Sequence, residues 1–503
     1  MRGAALALAV LGVAAATAGA VPAAAAEPTR PPVVVLVLDE FPTDSLTRPG
    51  GAIDAGRFPG FAALARDATW FRNAWSVYDS TPQAVPAILT GKVPTGPRRP
   101  SWRRHPQSLF TVLARAGYRM RAFEEATRVC PPRLCPRTGT YGQTRQNVLF
   151  RRPKRLRRTI ASIRSRRRPT LYFHHSLLPH VPWSFGPSGR GRQGFAPGTL
   201  PDFSAPPRFG DPFLTDHNQQ RHLLQMGFVD RELRRLLARL RAKGLYRRAM
   251  VVVTADHGIS FARGSRDRRT ATPANLHEVA PVPLFVKLPG SERGAVSDSY
   301  ASTVDVLPTV AGALGVRLHR PVDGRDAFGA GAAARTGVTM VRRDFSGRIR
   351  LGAAQMERRR TLERSRRAVV FGTGSWQRLF AIGPRPELIG RTVASLPSTA
   401  PGTRRARFAA PRGLSAVDRL AATLPTWVAG RISSPAADGS HELAVGVNGT
   451  VRAVGRSFRL AGDPREYFSL VYPESALVAG RNEVALYEVK GEPPALTPLG
   501  SAR

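Results

Sequence analysis

The sequence predicts an α/β protein: a central, mostly parallel β-sheet flanked by helices, followed by a β-rich accessory domain near the C-terminus. Three observations predict it. VVVLVLDEF at 33–41 is a continuous apolar, β-branched run that ends in acids, as a strand covered on both faces does. An amphipathic stretch over 217–243, with Leu223, Met226, Val229, Leu233, Leu236, Leu237 and Leu240 on one stripe, leads at once into AMVVVTADHG, a second such strand. Strand and helix patterns keep alternating to about residue 328, which builds a layered sheet.

Between those anchors, residues 82–90 read as a short helix opened by Pro82, and 109–116 as another. Residues 119–124 and 170–174 are strand candidates, separated by the basic run 151–168, which reads as helical or extended. Residues 282–286 follow as a strand and 303–314 as a helix. An Ala- and Gly-rich stretch at 326–343 then suggests a linker. ELAVGVNGTVRAVG, YFSLVYP and NEVALYEV alternate with turn residues, as strands of a sandwich do. Asn448-Gly449-Thr450 fits a glycosylation sequon, but Asn-Gly between two strands is above all a hairpin turn. The expected division is a leader at 1–26, an α/β domain at 30–328, a linker and irregular extension at 329–429, and the β-rich domain at 430–492.

Met1-Arg2, an apolar Ala/Leu/Val/Gly run to residue 21 and Ala24-Ala25-Ala26 before Glu27 make a secretory leader with a small-residue cleavage site. The expected address is therefore outside the cytoplasmic membrane, secreted or attached to the cell envelope. Only two cysteines occur, Cys130 and Cys135, too few for a metal site and close enough for a local disulfide that an exported protein permits. The 76 Lys and Arg against 35 Asp and Glu give a net charge of +41, which attracts anionic polymers and lipid head groups. The excess is mostly arginine spread along the chain and comes with no nucleic-acid-binding motif, so a specific nucleic-acid reader is not expected.

The chemistry gathers where α/β sheets place ligands, at the carboxyl ends of strands. Asp39-Glu40 ends the first strand, Asp256-His257-Gly258 a later one, and His174-His175, with His180 beyond, a third. Between them, DSTPQAVPAILTG puts hydroxyls at a helix start, where backbone N–H groups and the helix dipole favour an anion. Carboxylates and an imidazole around a hydroxyl suit a divalent metal that activates it. Taken singly, each piece is also a common cap or turn; their joint order carries the reading.

That order resembles the sulfatase-like branch of the alkaline phosphatase superfamily, in particular bacterial exported or membrane-attached members. The resemblance rests on VLVLDEF, TPQAVPAILTG, HSLLPHVPW, DRELRRLL, VVVTADHG, APVPLFVKLPG and TVDVLPTV, all within 33–328. It implies Asp39, Glu40, Thr81, Asp256 and His257 as metal ligands, Thr81 as nucleophile, and His180 and His277 as catalytic groups at the anion or leaving oxygen. Arg269 and Asn275 are the two candidates for a basic or polar group upstream of His277. Asp44, Asp230 and Asp305 are expected to be structural. Ser80-Thr81-Pro82-Gln83 lacks the Cys and Arg of the CxPxR segment from which classical sulfatases mature formylglycine. With Asp-His at 256–257, as in phosphate-handling members, this implies hydrolysis or transfer of phosphate esters, with sulfuric esters as an alternative and an inactive, surface-binding scaffold as another. One divalent ion, Zn or Mn ahead of Ca, is expected, with a second left open. The expected partner is an anionic ester, as in an envelope polymer or lipid head group.

Overall fold

A computed structural model describes the chain apart from residues 2–29, 137–138, 140–144, 193–200, 202–209, 265–266, 332–333, 410–412, 434–438 and 503. The expected leader thus lies almost wholly outside the described residues. Strands β1 (Val33–Asp39), β2 (Thr69–Phe71), β3 (Arg119–Glu124), β4 (Thr170–Pro179), a two-residue β5 (Gly191–Arg192), β6 (Met250–Ala255), β7 (Leu284–Lys287) and β8 (Ala295–Ser297) belong to the first part of the chain. All but β5 form one sheet in the order β3-β4-β1-β6-β7-β2-β8. The β3-β4-β1-β6 half is parallel, and β7 runs antiparallel to both its neighbours, so the sheet is mixed but mostly parallel. Helices α1 (Pro59–Ala65), α2 (Thr81–Thr90), α3 (Leu109–Arg115), α4 (Arg145–Ser162), α5 (Pro212–Ala242), α6 (Leu276–Val279) and α7 (Val306–Ala313) accompany it.

The period of two along β1 decides which residues face which layer. Val34, Leu36 and Leu38 join a core with α1, α4 and α5, while Val33, Val35 and Val37 join one with α2, α3 and α7. Every residue of β1 is buried, which explains why it reads as an unbroken apolar run. Helix α5 starts as its sequence requires: Pro212 sits in the first turn and the Asp211 carboxylate accepts from the Leu214 N–H at 2.9 Å. The three acids expected to be structural are so. Asp230 accepts from the N–H groups of Gly60 and Phe61, Asp305 from those of Ser302 and Arg325, and Asp44 pairs with Arg360 and Arg364. Cys130 and Cys135 are disulfide-bonded.

The stretch 329–429 holds more than a linker. It contains a hairpin, β9 (Gly337–Val341) with β10 (Arg348–Gly352), and helix α8 (Ala353–Phe371), whose buried Arg360, Arg364 and Arg367 dock on the segment after β1. Further on come β11 (Arg405–Phe408), β12 (Thr423–Leu424), β13 (Trp427–Ser433), β14 (Glu442–Val447), β15 (Thr450–Arg456), β16 (Phe458–Leu460), β17 (Asp463–Val471), β18 (Val484–Lys490) and β19 (Ala495–Ala502). All but β12, which pairs in parallel with β5, make two four-stranded antiparallel sheets, β11-β13-β17-β16 and β15-β14-β18-β19, which share one apolar core and so form the expected sandwich. Asn448 (φ 49°) and Gly449 (φ 75°) turn β14 into β15, the left-handed pair that an Asn-Gly hairpin needs. Pro31–Arg503 forms one compact unit, distinct from Met1–Arg30. Among the described residues no helix is long and apolar enough to cross a membrane.

Candidate active site

β1 lies between β4 and β6, so the carboxyl ends of these three parallel strands converge. The ends of β1 and β6 are laced together. The Glu40 N–H donates to Asp256 Oδ1 (3.3 Å) and the Phe41 N–H to the His257 carbonyl (3.0 Å). Gly258 completes the turn; a Cβ there would lie 2.4 Å from the Glu278 carbonyl oxygen, so no other residue fits. Glu40 takes a left-handed backbone (φ 59°), and its carbonyl accepts from His222 Nε2 at 2.9 Å.

This turn gathers Asp39, Asp256 and His257, all fully buried, with ligand-type atoms within 4.8 Å of one another. His257 Nε2 is 3.6 Å from Asp256 Oδ2 and 3.9 Å from Asp39 Oδ1, separations that donors about 2.0–2.2 Å from one ion can span. Both Asp39 oxygens, Asp256 Oδ2 and His257 Nε2 have no hydrogen-bond partner, although buried polar atoms ordinarily find one. His257 Nδ1 meets the Gly258 carbonyl at 2.9 Å, which assigns the proton to Nδ1 and leaves Nε2 as a lone pair, the arrangement of a ligating histidine. The electrostatics agree. Burial and then the Asp256 and Glu40 charges push the Asp39 carboxyl well above its usual range; burial pushes Asp256 up to about 7 and His257 down. Two carboxylates that resist ionising beside a neutral imidazole lack a cation, and a divalent ion fits them.

Thr81 opens α2, with Ser80 in extended backbone before it and Pro82 in its first turn. Its hydroxyl faces Asp256 closely enough to pull that carboxyl's pKa down against the rise from burial. The turn is held from behind by buried Asp79, which accepts from Arg343 Nε (3.1 Å) and the Ala271 N–H (2.8 Å).

Glu40 stands beside this cluster, paired with cations. Arg268 reaches its carboxylate at 2.9 Å, and Arg269 Nε and His180 Nε2 each lie 3.6 Å away. Burial would raise the Glu40 carboxyl, but the Arg268 and Arg269 charges hold it well below the carboxylate range. His180 Nδ1 contacts the Val181 carbonyl at 2.7 Å, and burial takes its pKa down to about 3, so its ring is neutral and Nε2 accepts from Arg268 at 3.3 Å. β4 runs five residues further than the sequence suggests, so His180 follows the strand end while His174 and His175 lie within the strand, outside the cluster. His277 lies in a small cavity with Asp44, Glu278, Glu363 and Arg367. Asn275 serves its own loop, bonding Thr272 and the Thr270 carbonyl.

Arg152 and Arg268 were not expected here. Arg152 belongs to the basic run 151–168, yet it is buried and donates to the carbonyls of Leu177, His180, Val181 and Pro182, fixing the loop that carries His180. Arg268 gives no local signal at all; only the fold brings it to Glu40.

A family model described as Sulfatase matches residues 31–316, more than half of the chain. The chain belongs to the sulfatase family. Its buried Asp39-Asp256-His257 cluster, suited to one divalent ion, lies within the matched segment. Among curated relatives it is 32% identical over 102 residues to an endo-4-O-sulfatase of Bacteroides thetaiotaomicron, covering 20% of this chain and 19% of that protein. It is 30% identical over 94 residues to a lipoteichoic acid synthase of Staphylococcus saprophyticus, covering 18% and 14%. The matched segments thus span less than a fifth of either relative. Among solved structures, a 4S-sulfatase of Bacteroides thetaiotaomicron aligns with a TM-score of 0.47 at 17% identity, over 62% of this chain and 79% of that one. A phosphonate monoester hydrolase of Silicibacter pomeroyi aligns at 0.42 and 18%, over 62% and 79%.

Proposed function

We propose that this sulfatase-family hydrolase is exported and cleaves anionic esters through Thr81, with sulfuric esters as its first substrate class. The single observation that carries the reading is the Thr81 hydroxyl facing Asp256 beside four buried, unpartnered ligand atoms. Asp39, Asp256 and His257 would hold one divalent ion, and the imidazole favours Zn or Mn over Ca. When bound, that ion would lower the pKa of the hydroxyl and offset the charge of the ester. Thr81 Oγ attacks the sulfur or phosphorus, the bond to the leaving oxygen breaks, and water resolves the esterified threonine. Helix α2 starts at Thr81, so the positive end of its dipole lies beside the same hydroxyl. Arg269 Nε, buried and without a hydrogen bond, is the cation assigned to the anionic ester oxygens. Neutral His180 accepts a hydrogen bond from Arg268 and positions it, whereas His277 lines a separate cavity with Glu363 and is assigned no step.

Family membership supports the sulfuric ester over the phosphate ester that the sequence suggests first. The phosphate reading keeps one specific observation in its favour. Thr81 is an alcohol that cannot become formylglycine, and an unmodified alcohol is a competent nucleophile toward phosphorus. The test is a panel of nitrophenyl sulfate, phosphate and phosphodiester with Zn, Mn or Ca. Thr81→Ala should lose at least about 100-fold of whichever activity appears, and Ser80→Ala should keep most of it. Undiminished turnover by Thr81→Ala overturns the nucleophile; phosphate turnover well above sulfate turnover reverses the order of the two substrate classes.

A further inference from the structure

The far side of α2 from the core borders a second cavity, of about 400 Å³, that takes no part in the site above. Its floor is made of rings and short apolar side chains, Pro86, Ala87, Pro106 and Pro321. Three exposed arginines stand around it: Arg98 and Arg104 from the loop after α2, and Arg320 from the loop after α7. Their backbones are fixed, since the Arg98 carbonyl accepts from Gln83 Nε2 (3.0 Å) and Arg320 exchanges two bonds with the Gln107 amide. The wall has one acid, Asp323, and it is used by Lys92 and by the Val93 N–H. Among the described residues, the three arginines that line the cavity have no carboxylate to neutralise them. His105 also lines it, and its Nε2 is buried with no partner.

We propose that this cleft binds an anionic saccharide chain, its sulfate or phosphate groups on Arg98, Arg104 and Arg320 and its sugar rings on the proline floor. Each part of the ligand answers to a part of the cavity. Forked guanidinium donors match tetrahedral oxyanions. Proline rings offer C–H surface to the C–H face of a sugar, and the Gln83 side chain offers a hydrogen bond to its hydroxyls. A linear polyphosphate would use the cations and leave the floor wet. Helix α2, about 15 Å long, lends one flank to the cleft and its first residue to the nucleophile, so a chain seated here is tethered beside the reacting ester. The inference goes beyond the hydrolase reading, because binding is measured without turnover and an inactive enzyme would leave it intact.

The difficulty is the +41 charge, which attracts any polyanion, so the test needs a matched control. One variant carries Arg98→Ala, Arg104→Ala and Arg320→Ala. The other removes three exposed arginines elsewhere, by Arg391→Ala, Arg419→Ala and Arg481→Ala. Binding of a fluorescent, heparin-derived sulfated tetrasaccharide is followed by anisotropy in about 150 mM salt. The cleft variant should bind about tenfold or more weaker, and the control within about twofold of the unaltered protein. The desulfated tetrasaccharide and a polyphosphate of matched charge should each bind about tenfold weaker than the sulfated one. Aryl-ester turnover should be the same in all three proteins, since no altered residue belongs to the reacting site. Equal weakening of the two variants, or none in the cleft variant, overturns the site. Binding of polyphosphate as tight as that of the tetrasaccharide overturns the saccharide assignment.

Discussion

Replacing Arg268 by alanine would leave the Glu40 carboxylate fully buried and short of its nearest cation. Arg268 sits 2.9 Å from Glu40 Oε1, and its Nε adds contacts of 3.1 and 3.2 Å to the two oxygens. Breaking a buried pair from one side costs about 3–5 kcal/mol, chiefly because a desolvated charge is left behind. Arg269, 3.6 Å from the same carboxylate, remains to share it, so the low end, about 3 kcal/mol, is expected. For a folded body of this size that is a fall in thermal midpoint of about 3–6 °C. The informative partner is Glu40→Gln. In the double variant no unpaired charge is buried, so most of the loss should return. The measurement is a double-mutant cycle by thermal unfolding, with far-UV circular dichroism to establish that each variant is folded. Wild-type stability in Arg268→Ala, or a double variant no better than the single one, would refute the argument that Glu40 is held as a buried anion by this arginine.

The other predictions rest on separate parts of the molecule. Asp256→Ala should lose nearly all bound metal, read by elemental analysis of protein purified without chelator; undiminished occupancy would end the assignment of the buried cluster. Burial pushes the Asp230 carboxyl up to about 6, against the bonds from Phe61 and Gly60, so its stabilising share is complete below about pH 4 and lost as pH rises through 6. Asp230→Asn keeps an oxygen for both N–H groups and should match the wild type near pH 4 yet be about 1–3 kcal/mol more stable at pH 8, by urea unfolding. Joint replacement of Cys130 and Cys135 by serine should cost about 2 kcal/mol, the loop-entropy value for so short a bridge, with turnover at 25 °C unchanged.

Much of the frame was legible because it is periodic. The apolar run of β1, the stripe of α5 and the Asn448-Gly449 turn each carry their structure locally, and the polar ends of β1 and β6 pointed to Asp39, Asp256 and His257. Short or edge elements such as α1, β2 and β8 escaped notice because a few residues hold too little pattern. The antiparallel entry of β7 is a matter of topology that no strand sequence announces. The arginines were the hardest to read. In a chain with this excess, Arg152, Arg268 and Arg343 look like all the others, and only their carbonyl and carboxylate partners, distant in sequence, set them apart. Val369, Val370 and Phe371 are strand-favouring residues, yet they end α8, because Arg360 and Arg364 find Asp44 and Arg367 the Ser45 hydroxyl beneath that helix, a tertiary gain that outweighs local preference.

Helix α5 has a consequence for how this chain could be divided. Near its start, His217 meets Ser469 of the sandwich at 2.8 Å and Arg221 lies over the Trp427 ring at 4.0 Å; one residue later, His222 holds the Glu40 carbonyl. The same helical turns therefore touch the β-sandwich and the metal-binding strand end. A chain cut at the end of the family-matched segment would expose that stripe of α5 and strip Asp44 of both its arginines, so the smallest autonomous version of this protein is larger than the region that defines its family. Transplanting the sandwich, or grafting this α/β body onto another, would amount to rebuilding α5, and sequence drift in one half is restrained by a neighbour that belongs to the other.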